Sequence, residues 1–199
     1  MKISLFVRGV IKDNAVLGIA IGVCPVLALT RTRQEGLAIG LAMVMVMFFG
    51  NLTVGIFKKY AVGGFKIPFF MLTAALYASL AETYFRFYHP ALYPNLGIFL
   101  PLLAVNCLVM WRMDESAVRS SAFRSALDGL GYGFGFLLVV FLISLVRDFL
   151  GTGALLGWPL FGPGFRATPI LFFLSPAGGF LVLGLLIALY RKFVSGGKL

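Results

Sequence analysis

The chain has 199 residues, of which 60% are hydrophobic and only 12% charged, and its formal net charge is +10. Soluble domains carry about 25% charged residues, so this composition excludes an ordinary soluble fold and indicates a protein embedded in a bilayer. The positive charge does not indicate nucleic acid as a partner, because the lysines and arginines fall in short connections and at the chain ends, where they set membrane orientation.

Alternation typical of a membrane barrel is missing, so helices are the predicted spans. The first is expected over 14–30. It follows Lys2, Arg8 and Lys12, a flank that mimics a signal peptide. No small-residue cleavage site comes after the apolar run, so it is read as a retained transmembrane segment. Gly22-Val23-Cys24-Pro25-Val26-Leu27-Ala28-Leu29-Thr30 places a cysteine and a proline inside it. Proline lacks a backbone donor, and a break near Pro25 is expected.

Further spans are expected over 36–57, 67–87, 96–111 (containing Pro101), 128–147 and 168–190. With six spans both termini share one face. That face would hold Lys2, Arg8, Lys12, Lys58, Lys59, Lys66, Arg112, Arg119, Arg124, Arg191, Lys192 and Lys198, against Arg31, Arg33, Arg86, Arg147 and Arg166 opposite. The bias predicts cytoplasmic termini.

The chain reads as one transmembrane domain, 1–199, in two related halves, about 10–90 and 91–195. Glu35-Gly36-Leu37-Ala38-Ile39-Gly40 opens span two, and Asp128-Gly129-Leu130-Gly131-Tyr132-Gly133 opens span five. Leu17-Gly18-Ile19 returns as Leu96-Gly97-Ile98, each ahead of a cysteine, and Pro68 and Pro169 each open the third span of their half. Three spans per half is an odd number, so the second half enters from the opposite face. The predicted fold is all-α: six transmembrane helices as two inverted three-helix repeats, broken at spans one and four. Inverted repeats of this kind tend to place a site at the midplane. Gly18/Gly22, Gly36/Gly40 and Gly129/Gly133 have GxxxG spacing and are read as helix packing. Neither a Walker pattern nor a Rossmann fingerprint is present.

Cys24 and Cys107 are the two cysteines, each beside an interruption. They form no disulfide framework. As free thiols they could be packing residues or soft metal ligands. An iron–sulfur cluster takes four protein ligands, and the lone His89 sits in an aromatic, interfacial segment. A cluster would therefore need a second polypeptide to complete it. A thiolate in hydrocarbon would also need compensation, from iron charge and backbone donors. Glu82 is read as interfacial and paired with Arg86, Asp128 as an acid at its helix N-terminus, and Arg147–Asp148 as a surface pair at a helix end. Asn51, Thr53 and Asn106 are read as interhelical glue, the commoner role, or as lining of an ion path.

In these residues the chain resembles a known family of six-span subunits, shared by the Rnf complex and the sodium-pumping NADH:quinone reductase, in its RnfE/NqrD branch. The resemblance runs through Gly22 to Ala28, Ala91 to Leu102 and on to Asn106-Cys107, Ala126 to Leu130, Arg147 with Leu150 to Gly153, and Pro176 to Leu185. It implies a membrane subunit of an ion-translocating ferredoxin:NAD oxidoreductase, with no active site of its own, in the cytoplasmic (inner) membrane of a bacterium or archaeon. It implies that Cys24 and Cys107 ligate the iron of a 2Fe–2S cluster shared with a homologous RnfA-type subunit. Electron flow through the cluster would be coupled to Na⁺ or H⁺ movement, beside RnfB, RnfC, RnfD and RnfG types of subunit. Trp111-Arg112-Met113-Asp114-Glu115 departs from the family's usual segment, where glycine precedes the arginine, and Asp148 stands where glutamate is usual. Alternatives are an NqrD-type subunit, a self-contained inverted-repeat transporter without iron, and a scaffold in which both cysteines only pack.

Overall fold

A computed structural model describes residues 14–29, 32–61, 63–97, 99–152, 154–155, 158–159 and 175–194. The chain begins with a short helix, α1 (Ala15–Ile19). Its cap is Asn14, whose side chain accepts from the amides of Val16 (3.0 Å) and Leu17 (3.2 Å) and donates to the Gly135 carbonyl (3.1 Å). Ala20 (φ 58°) and Gly22 (φ 81°) then turn the backbone left-handed, and α2 (Val23–Leu29) begins. The interruption therefore lies ahead of Pro25. That proline is the third residue of α2, where an amide would have no intrahelical partner in any case.

Thr32 caps α3 (Arg33–Ile56) by accepting from the Glu35 amide. A 3₁₀ turn (Lys58–Tyr60) and a second one (Gly63–Phe65) lead into α4 (Lys66–Tyr88), with Pro68 in its first turn. After α5 (Tyr93–Leu96), Pro101 opens a 3₁₀ segment, Pro101–Val105. Asn106 is extended and caps α6 (Cys107–Arg112), accepting from the Leu108 amide at 2.9 Å. A π-helical stretch, Met113–Ala117, continues α6. The long α7 (Ala122–Thr152) follows, then a two-residue antiparallel pair, β1 (Ala154–Leu155) with β2 (Trp158–Pro159), and α8 (Pro176–Val194). Apart from that pair the regular secondary structure among the described residues is helical.

Among the described residues four stretches are long and apolar enough to cross a membrane: Arg33–Ile56, Gly63–Tyr88, Tyr93–Ala117 and Ala122–Leu150. They coincide with the second to fifth predicted spans. The first predicted span consists of two short helices. The sixth begins among residues outside those described, as does Pro169.

Helices α3 and α7 form the centre. They run antiparallel with their backbones close. A Cβ added at Gly40 would lie 3.0 Å from Leu137 Cγ and 3.1 Å from its Cα, and one at Gly133 would lie 3.0 Å from Val44 Cα. Gly36 faces the Ser144 hydroxyl, and Gly129 faces the Asn51 amide and the Met47 carbonyl. In hydrocarbon this close approach drives association through van der Waals contact. Gly18 has open space beside it, so Gly18/Gly22 is not a packing pair: Gly22 serves the left-handed turn. Ile39, Met43, Met47, Phe136 and Ile143 fill the seam and its flanks.

Candidate functional site

Two helix starts meet beside the α3–α7 core. Cys24 is the second residue of α2 and Cys107 the first of α6. The left-handed turn at Gly22 aims its N–H at Cys107, donating to Sγ at 3.2 Å. The same glycine lies against α6, where a Cβ would sit 3.2 Å from Leu108 Cβ and 3.4 Å from Asn106 Oδ1. One interruption therefore abuts the other, and the turn that leads into Cys24 is hydrogen-bonded to the second cysteine. Both thiols are free and exposed on the surface of the chain.

This donor set fits half of a metal centre. Among the described residues no group of three or more His, Cys, Asp or Glu side chains could hold a metal ion alone. Two accessible thiols at adjoining turns, one already receiving a backbone N–H, can contribute two ligands and leave the other coordination positions to another chain. Such N–H···S bonds also tune iron–sulfur centres.

Around this junction several polar side chains take roles that local sequence did not reveal. Arg112 and Asp128 form a buried ion pair, with Nε donating to Oδ2 at 3.0 Å. The guanidinium lies over the Tyr132 ring (4.0 Å to the centroid) and the Trp111 ring (4.8 Å). Asp128 is thus an interior residue, because α7 starts earlier, at Ala122. Trp111, the departure from the usual glycine, supplies one of the two faces that flank the arginine. Charged residues on separate helices carry no spacing signal, and the reading of Asp128 as a helix N-terminal acid missed its partner.

Arg147 is also interior. It is 0% exposed and donates to the carbonyls of Leu27 (3.2 Å) and Ser175 (3.0 Å), which overturns the surface-pair reading. Glu35, also buried, accepts from Asn95 at 2.9 Å. Glu82 accepts from the Tyr93 hydroxyl at 2.9 Å, and Arg86 lies over the Tyr93 ring, so a tyrosine stands where a direct Glu82–Arg86 pair was expected. Thr53 bonds Tyr77 across α3 and α4 at 2.6 Å and does act as glue. Asn106 instead caps its own helix. Asn51 and Ser125 have buried polar side-chain atoms with no hydrogen-bond partner.

The family described as Rnf-Nqr subunit, membrane protein, matches residues 2–187. The chain is 35% identical over 182 residues to the E-type subunit of the Na(+)-translocating ferredoxin:NAD(+) oxidoreductase complex of Acetobacterium woodii, covering 92% of both chains. It is 34% identical to the E-type subunit of the ion-translocating oxidoreductase complex of Methanosarcina acetivorans, over 96% of this chain and 91% of that one. The relative of the same description from Shewanella sp. (strain ANA-3) is 36% identical, over 92% of this chain and 83% of its own.

Proposed function

This chain belongs to the Rnf-Nqr family of membrane subunits and is a multi-pass membrane protein, and from that premise we propose that it is the E-type subunit of a redox-driven, ion-translocating ferredoxin:NAD oxidoreductase of Rnf type. Its part is an intramembrane electron relay. Cys24 and Cys107 provide two of the four ligands to a 2Fe–2S cluster, and a homologous subunit provides the others. When bound, that group supplies one-electron transfer without proton chemistry of its own. The chain's residues set the turn that leads into Cys24 against Cys107 and give the Cys107 sulfur a backbone hydrogen bond. The observation that carries the reading is the Gly22 N–H on Cys107 Sγ, which ties the two cysteine-bearing turns together.

The six-span, inverted-repeat architecture belongs to the same proposal. One constant offset in sequence carries Gly36, Gly40, Val44 and Asn51 onto Gly129, Gly133, Leu137 and Ser144. It also turns the contact Gly36–Ser144 into Gly129–Asn51, and Gly40–Leu137 into Gly133–Val44. A two-fold axis across an antiparallel helix pair produces such an exchange. This supports two halves of opposite orientation, an arrangement that tends to carry its site where the halves meet. Termini in the cytoplasm follow from the basic loops.

The test is co-expression with the adjacent homologous subunit under anaerobic conditions, followed by iron and sulfide analysis and EPR of the reduced membranes. A 2Fe–2S signal is expected from the pair, and its loss in either Cys24→Ser or Cys107→Ser. A metal-free pair, or serine variants that keep the signal, would refute the relay.

A further inference from the structure

We propose that Arg147 is a positioning residue, which anchors the Cys24-bearing helix α2 from its C-terminal end and makes a centre held there easier to reduce. The inference rests on the reading of Cys24 as an iron ligand, and it concerns what fixes and tunes that ligand.

Helix α2 has seven residues, too few to persist without tertiary support. At its start the Gly22 N–H is fixed to Cys107. At its other end the carbonyls of the last turn have no intrahelical donors. Arg147 reaches them from α7: Nη1 donates to the Leu27 carbonyl, while Nη2 donates to Ser175, the residue just before α8. One guanidinium therefore joins three helices. Its planar fork of five donors suits that task, which a lysine performs less well. Gly179 on α8 leaves the room, since a Cβ there would come within 3.2 Å of Nη1.

The guanidinium is wholly buried, so its charge is poorly screened. A cation at the C-terminal end of a helix is favourably placed with respect to the helix dipole. Leu27 follows Cys24 by three residues, about 4.5 Å of helical rise. A fixed, poorly screened positive charge at one end of a seven-residue helix favours the reduced form of a centre held at its other end, and such charges and hydrogen bonds set cluster potentials.

The experiment uses the complete complex in native membranes, with Arg147→Gln and Arg147→Lys. In iron-depleted membranes, alkylation by N-ethylmaleimide is followed separately at Cys24 and Cys107 by peptide mass spectrometry. Arg147→Gln is expected to speed Cys24 modification about tenfold, in line with the loss of charge-assisted bonds to two carbonyls. Cys107 should be unchanged and Arg147→Lys intermediate. Unchanged Cys24, or equal acceleration at both thiols, overturns the anchor. If Arg147→Gln fails to accumulate, Arg147→Lys decides alone, and wild-type rates at Cys24 in it overturn the proposal. In iron-loaded membranes the midpoint potential should move to more negative values in Arg147→Gln and return toward wild type in Arg147→Lys; an unmoved potential overturns the tuning role. A Cys24-selective effect in membranes whose wild-type complex shows no iron signal would support the anchor while sinking the relay, so the two failures are distinct.

Discussion

Along the α3–α7 seam, Gly36, Gly40, Gly129 and Gly133 are contact surfaces, each pressed against the opposing helix. At the junction of α2 and α6, Gly22 is a bend, with φ 81° and its N–H turned toward a sulfur. The seam pairs small residues of one helix with side chains of the other at one constant sequence offset and is filled mainly by apolar side chains. The junction is not matched in this way: a backbone donor reaches Cys107, while α2 is tied down at its far end by Arg147. A close-packed helix pair resists deformation, and the exposed thiols sit beside it at helix starts, Cys24 on a seven-residue helix that needs outside support. Precision at Cys24 therefore comes from the frame and from a few long-range hydrogen bonds, since α2 is too short to hold its own position.

The buried Arg112–Asp128 ion pair links α6 to α7 and so joins the two regions; its loss has the largest expected effect. Asp128→Ala leaves the Arg112 guanidinium buried without its carboxylate. A loss of about 3–5 kcal/mol is expected, read as a lower midpoint in thermal unfolding of the purified protein in detergent. The double variant Arg112→Met with Asp128→Leu should recover most of it, because an apolar pair of similar volume removes the stranded charge. If the single variant unfolds like the wild type, the pair does not join the regions.

A smaller effect sharpens the difference between glycines that pack and glycines that do not. A methyl at Gly129 would meet Asn51 Nδ2 at 2.5 Å and the Met47 carbonyl at 2.6 Å. Since backbone cannot easily yield, Gly129→Ala should cost about 1–3 kcal/mol. Gly18→Ala has open space and lies in a helix, so it should be neutral or stabilising by about 0.5–1 kcal/mol. Equal behaviour of the two in the same unfolding assay would remove the seam's special status.

The smallest expected effect comes from Ser125→Ala. The Ser125 hydroxyl is buried on α7 with no hydrogen-bond partner, and removing an unsatisfied group is expected to leave stability unchanged or raise it by about 1 kcal/mol. A clear loss would mean that the hydroxyl holds a bound water.

Much of this protein was legible in its residues. Apolar length and sparse charge gave the helical membrane class and four of the spans, because a bilayer leaves the backbone few ways to satisfy its own hydrogen bonds. The glycine spacing of Gly36/Gly40 and Gly129/Gly133 marked the seam, since close approach of helices demands small residues at helical intervals. Cys24 and Cys107 stood out by rarity and by their neighbouring interruptions. Tertiary structure decided the rest. It put the first interruption at Ala20–Gly22 and not at Pro25, because a left-handed turn is fixed by what the bend must reach, and a proline in the first turn of a helix disturbs nothing. It also took Asp128 and Arg147 from expected helix ends into the interior. Their partners, Arg112, Leu27 and Ser175, come from other elements, and no periodicity along one helix records which group on another will meet it.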